Sequence, residues 1–137
     1  MKHILAIGIG CRAGCPADSI AALVAQAHAR AGGGAAALFT SVDKQTEPGI
    51  REAAIALRMP LAFLPRSALE AASPRAQTRS EQRDHAFGVP SIAETAALAG
   101  AGPRSTLVVP RISDAGATCA VAAPADATIP SPSGASS

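Results

Sequence analysis

Tryptophan and tyrosine are absent from this sequence, and phenylalanine occurs only three times. A surface without aromatic platforms cannot stack bases, which removes the usual means of gripping single-stranded nucleic acid. A strong excess of one charge sign is also missing. Twelve Lys and Arg stand against ten Asp and Glu, a formal charge of +2, too small for the electrostatic footprint of a DNA or RNA binder. No run approaches the roughly 20 apolar residues needed to cross a bilayer. The opening Met1-Lys2-His3-Ile4-Leu5-Ala6-Ile7-Gly8 has one Lys and a very short apolar run, without the length or cleavage site of a signal peptide. A cytoplasmic protein with neither membrane nor nucleic acid as partner is expected. Cysteine is scarce and odd in number, Cys11, Cys15 and Cys119, which fits free thiols in a reducing compartment.

What is present is aliphatic. Hydrophobic residues make up 48% of the 137, so a core of Ala, Leu, Ile and Val is expected in a single domain large enough to need no staples. Residues 3–9 read as a buried strand ending in glycine, with Gly8, Gly10 and Gly14 punctuating the loop that follows. Pro16 and Asp18 suit the first turn of a helix, and Ile20, Leu23, Val24, Ala27 and Ala31 keep helical spacing until Gly32-Gly33-Gly34 stops it. A second strand is predicted over 35–40 and a helix from Glu47-Pro48 to about Leu57. A third strand follows over 61–64, then a brief helix capped by Ser67 and ending at Glu70. Residues 73–86 are polar and carry Arg75, Arg79 and Arg83, an exposed or mobile connection whose arginines are a solvated face or a basic rim. Ser91-Ile92-Ala93-Glu94 has the capping-box pattern, opening a helix that ends near Gly100. Residues 105–109 and 117–122 are the last strands, close enough for an antiparallel hairpin.

Strands alternating with helices predict an α/β fold, a three-layer α/β/α arrangement with a mostly parallel, mixed sheet of about five strands. The domain is expected over 1–123. From 124 to 137 the sequence is mostly Pro, Ala, Ser, Thr and Gly with Asp126 the sole charge, a composition that predicts a disordered tail.

Several residues carry chemistry. The loop Gly8–Gly14 between strand and helix is an expected anion cradle of backbone N–H groups, with Arg12 adding a two-pronged charged bond to a carboxylate. It is no P-loop, because G-x-x-x-x-G-K-[ST] is absent. Asp43, Lys44 and Glu47 cluster after the second strand and are the candidate acid–base residues, against the alternative of an ordinary turn and helix start. Glu94 is either a capping-box residue or a functional carboxylate. Cys11, near a helix N-terminus, is a candidate thiol of lowered pKa. Cys11 and Cys15 are four apart, and His3, His28 and His85 show no metal spacing, so neither a metal nor a cofactor is expected. If the strands are parallel, Arg12, Lys44 and Arg111 emerge on one sheet edge, where open α/β sheets bind ligands.

Four stretches taken together resemble the CobE/CbiG C-terminal domain family of cobalamin biosynthesis. They are Gly8-Ile9-Gly10-Cys11-Arg12-Ala13-Gly14, Asp43-Lys44-Gln45-Thr46-Glu47-Pro48-Gly49, Gly88-Val89-Pro90-Ser91-Ile92-Ala93-Glu94-Thr95-Ala96-Ala97-Leu98, and Val108-Val109-Pro110-Arg111 with Thr118-Cys119-Ala120-Val121-Ala122. The family pattern usually has lysine where this chain has Arg111. Arginine keeps the charge and gains a planar fork but cannot serve as a proton-transfer amine.

The resemblance implies a place in corrin-ring construction, whose intermediates are tetrapyrroles bearing acetate and propionate carboxylates. It implies a ligand-binding set of Gly8, Gly10, Cys11, Arg12, Gly14, Lys44, Glu94, Arg111 and Thr118. Three functions follow as expectations. The first is binding of a polycarboxylate tetrapyrrole (a corrinoid intermediate). The second is a corrin-pathway hydrolase or lyase using Asp43, Lys44 or Glu47. The third is a non-catalytic docking partner of another cobalamin-pathway enzyme.

Overall fold

The structure is a computed structural model that describes residues 4–77, 79–80 and 89–125. Its elements in chain order are β1 (Leu5–Cys11), α1 (Ala17–Arg30), β2 (Ala36–Ser41), α2 (Pro48–Leu57), β3 (Leu61–Leu64) and α3 (Arg66–Ala72). There follow β4 (Arg79–Ser80), β5 (Val89–Pro90), α4 (Ile92–Ala101), β6 (Thr106–Asp114) and β7 (Ala117–Ala123). The main sheet has the order β3-β2-β1-β7-β6. β1, β2 and β3 are parallel, while β7 runs antiparallel to both β1 and β6. β6 therefore points the same way as β1, and the three-layer α/β/α expectation with a mixed five-stranded sheet holds. Helices α1 and α2 cover one face and α3 and α4 the other.

The alternation along β1 is one of size rather than polarity. Ile7 and Ile9 join Ile20, Leu23, Val24, Leu38, Ile50, Cys119 and Val121 in the larger core beneath α1. Gly8 faces α4, where Ala93, Ala97, Ala120 and Ala122 make a second core of small side chains. A helix can approach a sheet closely only where side chains are short, so alanine and glycine set the thickness of this layer. Burying aliphatic area on both faces supplies the main stabilisation, about 25 cal/mol per Å².

Several sequence expectations shift. β1 continues through Cys11, so Gly8 and Gly10 lie in the strand and only Gly14, at φ +77°, makes the turn. Gly8 is glycine because a Cβ there would overlap the Ala93 carbonyl oxygen. Ser67 does not cap α3, which starts at Arg66 with Pro65 in the cap position and no side-chain cap bond; proline's fixed φ serves instead. α4 runs past Gly100 to Ala101, because Gly100 lies inside the helix against the ring of Phe39. β6 extends to Asp114 and closes on β7 through a two-residue turn, Ala115-Gly116.

Arg75 is not part of a mobile rim. It donates through one nitrogen to the Ser105 carbonyl at 2.8 Å and through another to the Gly102 carbonyl at 3.2 Å, capping the end of α4. The side chains of Arg79 and Arg83, and the tail from 126 onward, lie outside the described residues. No helix among the described residues is long and apolar enough to cross a membrane.

Candidate functional site

At the carboxyl edge of the sheet the loops after β1 and β2 and the β6–β7 turn come together. The Arg12 N–H donates to the Gly116 carbonyl at 3.0 Å and the Cys15 N–H to the Arg12 carbonyl at 3.2 Å. The Gly14 N–H donates to Glu47 Oε1 at 2.9 Å. The Cys15 thiol lies 3.6 Å from the Ala115 carbonyl, and the Thr118 hydroxyl donates to the Gly10 carbonyl at 3.3 Å. The expected backbone cradle is thus largely consumed, since residues 8–11 belong to the β1–β7 ladder and the Arg12 and Gly14 N–H groups, with that of Cys15 beside them, are bonded within the protein. What this edge still offers to an anion is side chains.

The expected acid–base trio separates. Asp43 pairs with Arg66 at 3.2 Å, both partners well exposed, an ion pair worth at most about 1 kcal/mol. Glu47 is occupied by Gly14, which ties the two loops together. Lys44 remains: the residue is half-buried, its charge is felt at Cys11, and its side chain forms no hydrogen bond or ion pair among the described residues. The Cys11 thiol is pushed up by burial, with Lys44 opposing and Cys15 and Glu47 adding to the rise. The expectation of a lowered thiol pKa is therefore reversed, because desolvation outweighs the nearby charge. Cys119, fully buried in the core, is raised by burial to about 12.

Arg12 is exposed, its guanidinium lying across Gly116, where a Cβ would press on it. The expected antiparallel hairpin is present, but its link is the two residues Ala115-Gly116 rather than 110–116; a glycine flanked by two strand-like runs is the usual sign of such a turn. Arg111 stands within β6 instead of in a loop after it, roughly 10 Å from the turn at about 3.3 Å per residue. Glu94 is completely buried at the start of α4. Half of the expected capping box is present, the Glu94 N–H donating to Ser91 Oγ at 3.2 Å. The carboxylate oxygens accept from the Gln77 N–H at 2.7 Å and the Arg111 N–H at 2.9 Å.

Three of the described Lys and Arg side chains are half-buried: Lys44, Arg75 and Arg111. Arg75 has its carbonyl acceptors. Lys44 and Arg111 have none for their side chains among the described residues. Ile92, 39% exposed, sits beside Gly10 on the same edge. Two grooves lie elsewhere, one between α3 and the end of α4 near Ala72 and Pro103, the other at the opposite sheet edge near Ile4 and Met59.

The comparisons with known proteins agree with the motifs. The family described as cobalamin synthesis G C-terminus matches residues 5–122. Protein CobE of a Sinorhizobium species is 40% identical over 124 residues, covering 88% of this chain and 80% of that protein. The crystal structure of CobE, a protein from the cobalamin (vitamin B12) biosynthetic pathway, superposes with a TM-score of 0.78 at 35% identity, over 90% of this chain and 92% of that one. The structure of cobalamin biosynthesis protein chiG from Agrobacterium tumefaciens gives 0.72 at 38% identity, over 89% and 99%. The strand-and-helix frame, the four motifs and these matches lead to one conclusion: the chain belongs to the CbiG C-terminal family of cobalamin-biosynthesis proteins.

Proposed function

We propose that the chain binds a carboxylate-bearing tetrapyrrole intermediate of corrin-ring construction at the carboxyl edge of its sheet, and holds it without transforming it. The observation that carries this reading is the pair of half-buried residues Lys44 and Arg111, whose cationic side chains lack an acceptor among the described residues. A cation partly withdrawn from water gains most from a charged acceptor. A ligand with carboxylates around its rim supplies several at once, spanning from Arg12 and Lys44 to Arg111.

The N-termini of α1, α2 and α4 open on the same edge and add favourable potential for an anion. Ile92 offers apolar surface to a macrocycle face. Acid–base catalysis is less well supported, because Asp43 and Glu47 are engaged by Arg66 and Gly14.

The test is titration of the protein with uroporphyrin, a tetrapyrrole with an acetate and a propionate on every pyrrole, followed by its absorbance. Saturable binding that weakens with salt, and that the methyl ester does not reproduce, is the expected result. No binding of any tetrapyrrole, together with a stable complex with another pathway protein, would transfer the assignment to the docking role.

A further inference from the structure

The β6–β7 ladder pairs Val109 with Val121 and Ile112 with Cys119. Pro110 and Arg111 together therefore stand opposite Ala120, one residue more on β6 than on β7. A bulge of this kind takes an N–H out of the ladder and re-aims a side chain, and bulges are frequent beside binding sites. Pro110 has no N–H to leave unbonded. The Arg111 N–H goes to Glu94 Oε2 at 2.9 Å, while Oε1 of the same carboxylate takes the Gln77 N–H at 2.7 Å.

Glu94 is 0% exposed, and burying a carboxylate is costly unless charge-assisted bonds compensate it. A surface capping box needs no such burial. What the buried position adds is a rigid link from the first turn of α4 to the backbone of the edge strand. The bond fixes the peptide plane at Arg111, and that plane sets the direction in which the arginine leaves the strand.

We propose that Glu94 is the positioning residue for Arg111: its carboxylate locks the Pro110-Arg111 bulge so that the guanidinium is presented to the carboxylate of the bound ligand. This rests on the reading of Arg111 as a ligand contact. In this proposal Glu94, 0% exposed and bonded to the Gln77 and Arg111 N–H groups, acts through the arginine rather than on the ligand.

A double-mutant cycle with uroporphyrin affinity as readout tests this. R111A is expected to weaken binding about tenfold, and E94Q, which keeps the volume but turns an amide toward one N–H, about three- to tenfold. In the R111A background E94Q should change affinity less than about twofold, because its effect travels through the arginine. In the R12A background it should keep its full effect. A merely structural role would weaken binding equally in both backgrounds, and that result overturns the proposal. So does wild-type affinity in E94Q when R111A has lost affinity.

If instead R12A, K44A and R111A all bind like wild type, the ligand reading itself fails and the positioning role falls with it. Should E94Q not fold, the wild type decides by NMR. Arg111 and Gln77 amide protons that are shifted far downfield and slow to exchange support the lock. A rapidly exchanging Arg111 amide in the folded protein overturns it.

Discussion

Gly8 of β1 and Ala93 of α4 stand in backbone contact, so that any Cβ at residue 8 would overlap the Ala93 carbonyl oxygen. The helix rests on the strand itself, with no side chain between. Gly8→Ala must push α4 outward or bend β1, and overpacking of this type costs about 2–3 kcal/mol. At Gly10 the nearest obstacle is the Thr118 hydroxyl, a side-chain atom that can turn away at the loss of its bond to the Gly10 carbonyl, with no backbone in the way. Gly10→Ala is therefore expected to cost about 1 kcal/mol or less. Urea denaturation of the two variants checks the order; equal losses would show that α4 does not sit on Gly8.

The proposed binding edge predicts a dependence on charge. R12A, K44A and R111A should each weaken uroporphyrin binding about tenfold, since a charge-assisted bond contributes about 1.5–3 kcal/mol and about 1.4 kcal/mol is a factor of ten. Arg58, exposed at the end of α2 on the opposite sheet edge, is the control, and R58A should bind like wild type. Added salt should reduce wild-type affinity more than that of the variants.

The hairpin turn predicts effects of opposite sign at adjacent positions. Ala115 and Gly116 both have positive φ, 52° and 87°, the geometry of a two-residue turn that favours Asn-Gly. Ala115→Asn should stabilise the protein by up to about 1 kcal/mol, read as a rise in Tm of about 3–5 °C. Gly116→Ala should destabilise it by about 1–2 kcal/mol and also displace Arg12, which lies against that position. Its loss of ligand affinity should therefore exceed that of A115N.

Thiol reactivity should rank by burial and charge. Cys11 is half-buried whereas Cys15 and Cys119 are buried, so alkylation of the native protein, followed by mass spectrometry, is expected at Cys11 first. Lys44 lowers the Cys11 pKa against the dominant effect of burial. Removing that charge in Lys44→Met should raise the pKa further, shifting the alkylation profile to higher pH. Cys119, at about 12, should react only after unfolding. Uroporphyrin should protect Cys11 if the ligand covers this edge.

Much of the fold was legible in the sequence because its signals are local. Ile20, Leu23, Val24 and Ala27 all lie buried on one face of α1. Pro48 opens α2 and Ser91 caps α4 as the helix-start rules predict. The site was legible only in outline. Of the expected trio Arg12, Lys44 and Arg111, the first two stand in loops at one edge, because parallel strands bring their following loops together, whereas Arg111 lies inside β6, short of the strand's end. The roles of Gly8 and Gly10 were misread as turn geometry, since a strand glycine and a loop glycine look alike until the overlying helix is placed.

What the sequence by itself determined is whatever a few neighbouring residues encode: strand and helix positions, the glycine stop after α1, half of the capping box, and the motifs that mark the family. What only the tertiary structure decided depends on groups brought together from afar. Arg12 reaches Gly116 across the sheet, and Glu94 takes its hydrogen bonds from residues 17 positions away on either side. A capping-box pattern states that a glutamate stands in the first turn. Only the packing of α4 in the fold takes that carboxylate out of water, and a buried carboxylate must take donors wherever the fold brings them, among them the backbone N–H groups of Gln77 and Arg111.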